Sequence, residues 1–361
     1  MLKRVVIVIV LFVLFDIVAG GIFIYRHRQV LLAFRGLPKM PDSLKTPRVV
    51  LGNSLLSKVE IRVSEIGVIT DVEPERESTL VVGRRGAAFL SDAGSVLSRV
   101  QFENCRADVV AVSAGYLCRG AWNVPVILFS PEGKTLLSYQ GGTGGVDDAT
   151  VGTFNGTDRI IVGFNGMGGV RMLDVGGKEI WKQNDGNVWH VEAVKSNEMG
   201  DTEILHSNAR GEITIRDASG NILEHHPAEV YMAHFSLTAW GNEPSRNKLL
   251  MPGEGSVFVV DMKGKTRARL PAPDSESIQA RGKGAPVRLK AGALFYASIL
   301  RYELWGKSVL YVHDPSGQLV YEEVMNQDCG DVRSVPGRHG TEDLLVGCNN
   351  NLRKYSATFP D

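Results

Sequence analysis

Neither sign of charge prevails in this chain of 361 residues, where forty lysines and arginines meet forty aspartates and glutamates. Without net charge the long-range attraction that a general nucleic-acid binder uses is missing, so no nucleic acid is expected as a partner. The common catalytic signatures are missing too. There is no Cys-x-x-Cys, no His-Glu-x-x-His, no Gly-x-Ser-x-Gly and no phosphate loop ending in lysine. Gly163 to Gly169 is rich in glycine, but it lies between two strands and so has no helix N-terminus to offer a phosphate. No cofactor is expected. Aromatic residues make up only 7% of the chain, and no lipobox-like cysteine follows the N-terminal apolar segment, which excludes a lipoprotein.

Glycine is plentiful, at 40 residues, as suits short strands joined by tight turns. Six of them end a recurring unit of an acidic or small residue, two spacers and glycine, each just after an apolar run. The copies are Ser91 to Gly94, Ser130 to Gly133, Asp174 to Gly177, Asp217 to Gly220, Asp261 to Gly264 and Asp314 to Gly317. Their glycines fall 39, 44, 43, 44 and 53 residues apart, the period of a four-stranded propeller blade. The fold expected is therefore an all-β, seven-bladed β-propeller, with units at 65–106, 107–145, 146–187, 188–230, 231–283, 284–328 and 329–361. The last unit is short of a strand. Val49 to Leu51 or Lys58 to Val63 could supply it and close the ring; a six-bladed ring with an irregular end is the alternative.

Ahead of the ring, Lys3 and Arg4 precede Val5 to Tyr25, an apolar run of 21 residues broken only by Asp16. As a helix it spans roughly 30 Å, enough to cross a bilayer. Residues 1–31 read as a membrane anchor, 32–48 as a proline-bearing tether and 49–361 as the propeller. A cleavable signal peptide ending near Ala19-Gly20-Gly21 is the competing reading. A charge at mid-membrane costs about 3 kcal/mol, which a partner helix or a cavity would relieve at Asp16; a helix set off-centre that merely tolerates it is the alternative.

The four cysteines form two close pairs, Cys105 with Cys118 and Cys329 with Cys348. The midpoint of the second pair falls in Gly337-Arg338-His339-Gly340, a hairpin-turn sequence, so these two would sit across an antiparallel ladder. Cys105 and Cys118 flank a hairpin less symmetrically. Disulfides imply an oxidising compartment and place the propeller on the extracytoplasmic side, periplasmic or extracellular.

Gly156-Thr157-Asp158-Arg159-Ile160-Ile161-Val162-Gly163 through Asp174-Val175-Gly176-Gly177 carries a resemblance. With Gly200 to Leu205 and Gly340 to Gly347, it resembles the FG-GAP and VCBS repeats of integrin-alpha-like propellers. Met172-Leu173-Asp174 through Trp181 is also similar to a quinoprotein-type repeat. The FG-GAP resemblance implies a propeller used for recognition. Where that family carries a calcium loop of alternating acids, this chain has Asn155 to Asp158, Asn197 to Asp201 and Gly337 to Gly340, with at most two carboxylates each. Calcium needs several converging oxygens, so none is expected in the blade loops.

Register between units brings out one constellation. Asp108, Asp148, His190, His234 and Asp331 open the innermost strands of five units and would meet on one channel rim. Two imidazoles and three carboxylates could bind a metal or share protons; alternatively, each could bond a neighbouring loop, as buried polar groups must. Lys263, Lys265, Arg267 and Arg269 alternate, which would put all four on one face of a strand, either to protect an edge or to dock an acidic partner. The chain is thus expected to be a membrane-anchored protein-binding or assembly module, with a glycan-acting or metal-dependent rim enzyme as the alternative.

Overall fold

The computed structural model describes residues 40–51, 56–63, 65–122, 124–141, 144–195, 200–243, 245–275, 281–290, 292–337 and 340–357. The expected anchor, residues 1–31, and Asp16 within it lie outside these. Among the described residues no helix is long and apolar enough to cross a membrane. Two units are distinguished, Met1–Lys45 and Thr46–Asp361. The described part of the first is a short 3-10 turn, Asp42–Leu44, with Asp42 paired to Lys45.

The second unit is a seven-bladed β-propeller. Six blades follow the chain in order, each an antiparallel meander: 69–101, 109–139, 146–183, 188–226, 236–271 and 281–325. The seventh takes three strands from Cys329–Ala357 and its outermost strand from Leu56–Arg62, which pairs with Asn351–Ala357 from Leu56↔Ala357 to Arg62↔Asn351. The missing strand thus comes from the second of the two expected segments. The first is used as well: Arg48–Leu51 adds a fifth strand outside blade 6. One boundary moves, because Arg281, Gly282 and Lys283 open the innermost strand of blade 6 rather than closing blade 5. The 53-residue interval between Gly264 and Gly317 accommodates the two ten-residue strands that open this blade, Arg281–Lys290 and Ala293–Tyr302.

Strands alternate so that their apolar sides fill the gaps between sheets. Leu117 and Leu128 of blade 2 pack with Ile160 and Val162 of blade 3, and Leu205 of blade 4 packs with Leu249 and Met251 of blade 5. Val287 and Leu310 of blade 6 meet Val332 and Leu344 of blade 7.

The recurring turn has one geometry throughout. In all six copies the glycine N–H donates to the carbonyl of the residue three before it, at 2.8–3.0 Å. All six glycines have φ between 79° and 86°, which a side chain resists. The leading side chain completes the turn: Asp217 Oδ1 accepts the N–H groups of Ser219 and Asn221, both at 2.8 Å, and Asp261 and Asp314 repeat the arrangement. In most blades the glycine also presses on the outermost strand of the blade before. Gly94 abuts Ile61 of blade 7, Gly133 abuts Gln101 of blade 1, Gly177 abuts Leu137 of blade 2, and Gly220 abuts Trp181 of blade 3.

Both disulfides are present, and no described cysteine is free. Cys329 and Cys348 stand directly opposite in the ladder. Cys105 lies in the connection before blade 2, where the ladder partner of Cys118 is Val109.

The turn glycines set up a graded test. A Cβ at Gly133 would come within 2.2 Å of the Gln101 carbonyl oxygen, whereas at Gly317 the nearest atom is a Leu270 methyl at 3.6 Å. Gly317→Ala is expected to cost only the left-handed backbone, about 1–2 kcal/mol, and Gly133→Ala clearly more. Urea unfolding would show this, and equal losses would contradict it.

Truncation tests closure. A chain starting at residue 46 keeps seven complete blades. One starting at residue 64 strips blade 7 of its outer strand and removes the buried Leu56 and Val63, so at least about 3 kcal/mol should be lost. Equal unfolding midpoints would contradict this closure.

Candidate functional site at the channel mouth

The site is built by a repeated irregularity. In blades 1, 3, 4 and 7 the innermost strand slips by one residue just before Asp71, Asp148, His190 and Asp331 respectively. Such a bulge re-aims the side chain that follows it. Three of the four are carboxylates, and each accepts a backbone N–H from the next blade. Asp331 takes Val72 N–H at 2.8 Å, Asp71 takes Ala111 N–H at 2.9 Å, and Asp148 takes Val191 N–H at 3.2 Å.

Of the five expected rim residues, Asp108, Asp148, His190 and His234 line one cavity at the start of the innermost strands, of about 710 Å³ counting its open mouth. Asp331 does not. It is fully buried and joined to Arg333 at 2.7 Å, and Arg333 reaches Asp71 at 3.2 Å and Glu73 at 3.3 Å. Burial pushes the Asp331 carboxyl up to about 6, against the pull of Arg333.

The other carboxylates are claimed by arginines. Arg119 grips Asp148 with Nε and Nη2, both at 3.0 Å, and reaches Glu192 through Nη1 at 2.9 Å. Burial works against these charges, yet Arg119 and His190 prevail and hold Asp148 below the carboxylate range and Glu192 at about 2. His190 Nδ1 pairs with Asp148; its Nε2 lies 3.3 Å from Glu192 Oε1, outside hydrogen-bond geometry. Asp108 meets Arg301 Nη2 with both oxygens at 2.9 Å and Arg84 at 3.1 Å. Despite burial, Arg301, Arg281 and Arg84 together keep it ionised well below the usual range.

His234 stands apart from these pairs. Its ring stacks on Trp189 with centroids 6.0 Å apart and meets His190 edge-on at 6.1 Å. Burial, with Arg281 and His190 adding repulsion, lowers it to about 3, so the ring is neutral. Among the described residues no group of three or more His, Cys, Asp and Glu side chains is arranged to hold a metal ion. Arginines occupy the carboxylates that such a site would need.

Asp71, Arg84, Arg119, Glu192, Arg301 and Arg333 complete these networks and were not singled out from sequence. Asp71 occupies in its own unit the place that Asp148 has in the third, so a stricter repeat alignment would have found it. The basic alternation reads differently in space. Lys263, Lys265, Arg267 and Arg269 are all exposed, but the strand begins at Thr266, so the two lysines belong to the turn. Arg267 pairs with Asp261 at 2.7 Å, and Arg269 donates to Ser256 Oγ at 3.0 Å. His225 and His226 close the outermost strand of blade 4.

The histidines should titrate on opposite sides of their ordinary value of 6.5. Although burial opposes its charge, Asp148 and Glu192 raise His190. Its contribution to stability is therefore complete below pH 6.5 and lost as pH climbs through the raised value. For His234 the unfolded chain takes up the proton between pH 6.5 and about 3, so stability falls as pH drops across that window. His190→Gln should remove the alkaline loss, and His234→Gln its share of the acidic one, to which His206, lowered to about 3 by burial and Arg216, also contributes. Ring-proton NMR titration checks both values, and a His190 midpoint below 6.5 would contradict the pairing.

No family profile and no curated sequence matches this chain. Solved structures do resemble it. A streptogramin B lyase structure superposes with a TM-score of 0.55 at 13% identity, covering 84% of this chain and 98% of the other. BBS1N, solved in complex with ARL6DN, gives 0.52 at 12%, covering 84% and 96%. The Pan2 WD40 domain of Neurospora crassa gives 0.50 at 14%, covering 90% and 98%. At these identities the likeness is one of fold.

Proposed function

We propose that this chain is a protein-binding or assembly module, with the face around the channel mouth as its docking surface. The observation that carries this reading is the surround of the mouth. Trp122, 65% exposed, and Met167, 79% exposed, project from connections between second and third strands of blades 2 and 3. Leu304 from blade 6 and Tyr231 from the connection between blades 4 and 5 are exposed as well. Strand alternation puts all four on the face where the innermost strands begin, which is also where Asp108, Asp148 and His190 line the cavity. Exposed aromatic, methionine and leucine side chains around a charged centre match the composition of protein interfaces.

The remainder of the proposal concerns position and kinship. Residues 1–31 anchor the chain in a membrane, with Asp16 facing a partner helix, and the two disulfides favour an oxidising, extracytoplasmic side for the ring. The repeat is related to FG-GAP and VCBS units. In the one loop of that kind described throughout, the Asp158 carboxylate is engaged by Thr153 and Ser113. Loop residues 196–199 and 338–339 lie outside the described residues. The enzymatic alternative, a glycan-acting or metal-dependent rim, has the Asp148–His190 pair in its favour.

Affinity purification of the intact chain from membranes, followed by mass spectrometry, tests the reading. A partner that follows the wild type and is lost with Trp122→Ala and Met167→Ala supports it. A partner indifferent to both changes, or turnover of a glycan lost with His190→Gln, would overturn it.

A further inference from the structure

The channel mouth has two electrically distinct walls. On the innermost strand of blade 6, Arg281 and Lys283 stand two residues apart and leave the same side of the strand, into the cavity. Arg301, on the adjoining strand, lines the same wall. Blades 3 and 4 supply the facing carboxylates, Asp147, Asp148 and Glu192.

The acidic wall is largely internally matched, because Asp148 and Glu192 are held by Arg119 and His190. The basic wall is not. Asp108 is satisfied by Arg301 and Arg84, which leaves Arg281 no nearer than 3.8 Å to it, without a hydrogen bond to any described residue and with its side chain 47% exposed. Lys283 forms no hydrogen bond or ion pair with a described residue, although its charge is felt by Asp331. Arg301 itself retains two buried donors, Nε and Nη1, without a partner. Donors left over beside an open cavity favour an anion.

We infer that the mouth receives a carboxylate side chain, an aspartate or glutamate of a docked protein segment, between Arg281 and Lys283. This rests on the protein-binding reading above. The facing carboxylates select a singly charged group, since a phosphate dianion would meet stronger repulsion from Asp147, Asp148 and Glu192. The exposed Trp122, Met167, Tyr231 and Leu304 give the flanking segment apolar surface to cover, which a free anion would not use.

Fluorescence anisotropy on the full-length chain in detergent tests this with a labelled peptide of alternating Glu and Gly and its Gln counterpart. The Glu peptide should bind at least about tenfold more tightly, as expected for charge-assisted hydrogen bonds. Arg281→Gln with Lys283→Gln should remove that preference, whereas Lys263→Gln with Lys265→Gln, an equal change of charge in an exposed turn, should leave it within about twofold. Because Arg281 lies near Asp108, Lys283→Gln alone is measured in parallel and should weaken the Glu peptide severalfold with an unchanged melting curve. Equal affinity for both peptides, or equal loss in the turn variant, overturns the inference. Succinate binding as tightly as the Glu peptide overturns it too, by assigning the site to a small free acid. If a captured partner is indifferent to the Arg281 and Lys283 changes, the carboxylate falls and the docking reading stands. If no partner is captured but the Glu peptide still discriminates, the reverse holds.

Discussion

A propeller ring must be sealed at every junction between blades, and here each of the seven junctions carries a polar staple as well as apolar packing. Asp331 bonds blade 7 to Val72 of blade 1, and Asp71 and Thr70 bond blade 1 to Ala111 and Val109 of blade 2. Arg119 ties blade 2 to Asp148 of blade 3, which itself holds Val191 of blade 4. Ser207 donates to the Ala233 carbonyl, which leads into blade 5, Ser236 donates to Gly282 of blade 6, and Ser308 accepts from Cys329 N–H of blade 7. Apolar contact is non-directional and would tolerate sliding of one sheet over the next. A directional bond fixes the height of each blade against its neighbour. Each such bond contributes only about 1 kcal/mol net, but a buried group left unpaired costs about 1–3 kcal/mol, so a ring with one junction out of register is penalised twice.

The outer rim answers a different constraint. The fourth strands of blades 1 to 6 carry a one-residue irregularity just after the turn glycine, at Leu97, Leu136, Ile180, Leu223, Arg267 and Val320. A bulge breaks the regular edge that another strand would need for pairing. Blade 6 is the case in which pairing nevertheless occurs, with Arg48–Leu51 of the same chain, whose own ladder is irregular between Val49 and Leu51. The N-terminal part of the ring therefore finishes two blades at once, joining the chain ends and occupying an edge.

The blade count, the closing strand and the cysteine pairs were legible in the sequence because each depends on local chemistry repeated at a fixed period. The acidic-x-x-glycine turn is such a signal: carboxylate, spacing and left-handed glycine are all visible in four residues. The rim was legible only in part. Asp148 and His190 stand at equivalent places in units three and four, so register alone predicts that they meet. Their partners come from elsewhere in the chain. Arg301 reaches Asp108 across 193 residues and Arg333 reaches Asp71 across 262, and no local pattern marks either pair. The basic alternation from Lys263 to Arg269 misled for a related reason: period-two spacing has structural meaning only inside a strand, and half of it falls in the turn.

Those long-range arginines also decide what the rim can do. An unclaimed pair of imidazoles among carboxylates would suit a metal or a proton relay. Once Arg119, Arg301 and Arg333 enter, Asp108 and Asp148 remain ionised, His190 is committed to Asp148, and His234 is left neutral against Trp189. Asp147 aside, which burial and Asp148 raise to about 6, Asp108, Asp148 and His234 are held in one protonation state and so are poor acid–base catalysts near neutrality, since such a catalyst needs a pKa close to the working pH. They are well suited to holding a rigid, patterned surface. The same networks that stiffen the mouth thus favour the proposed docking role, and among the described lining residues they leave Arg281 and Lys283 able to meet a partner's charge.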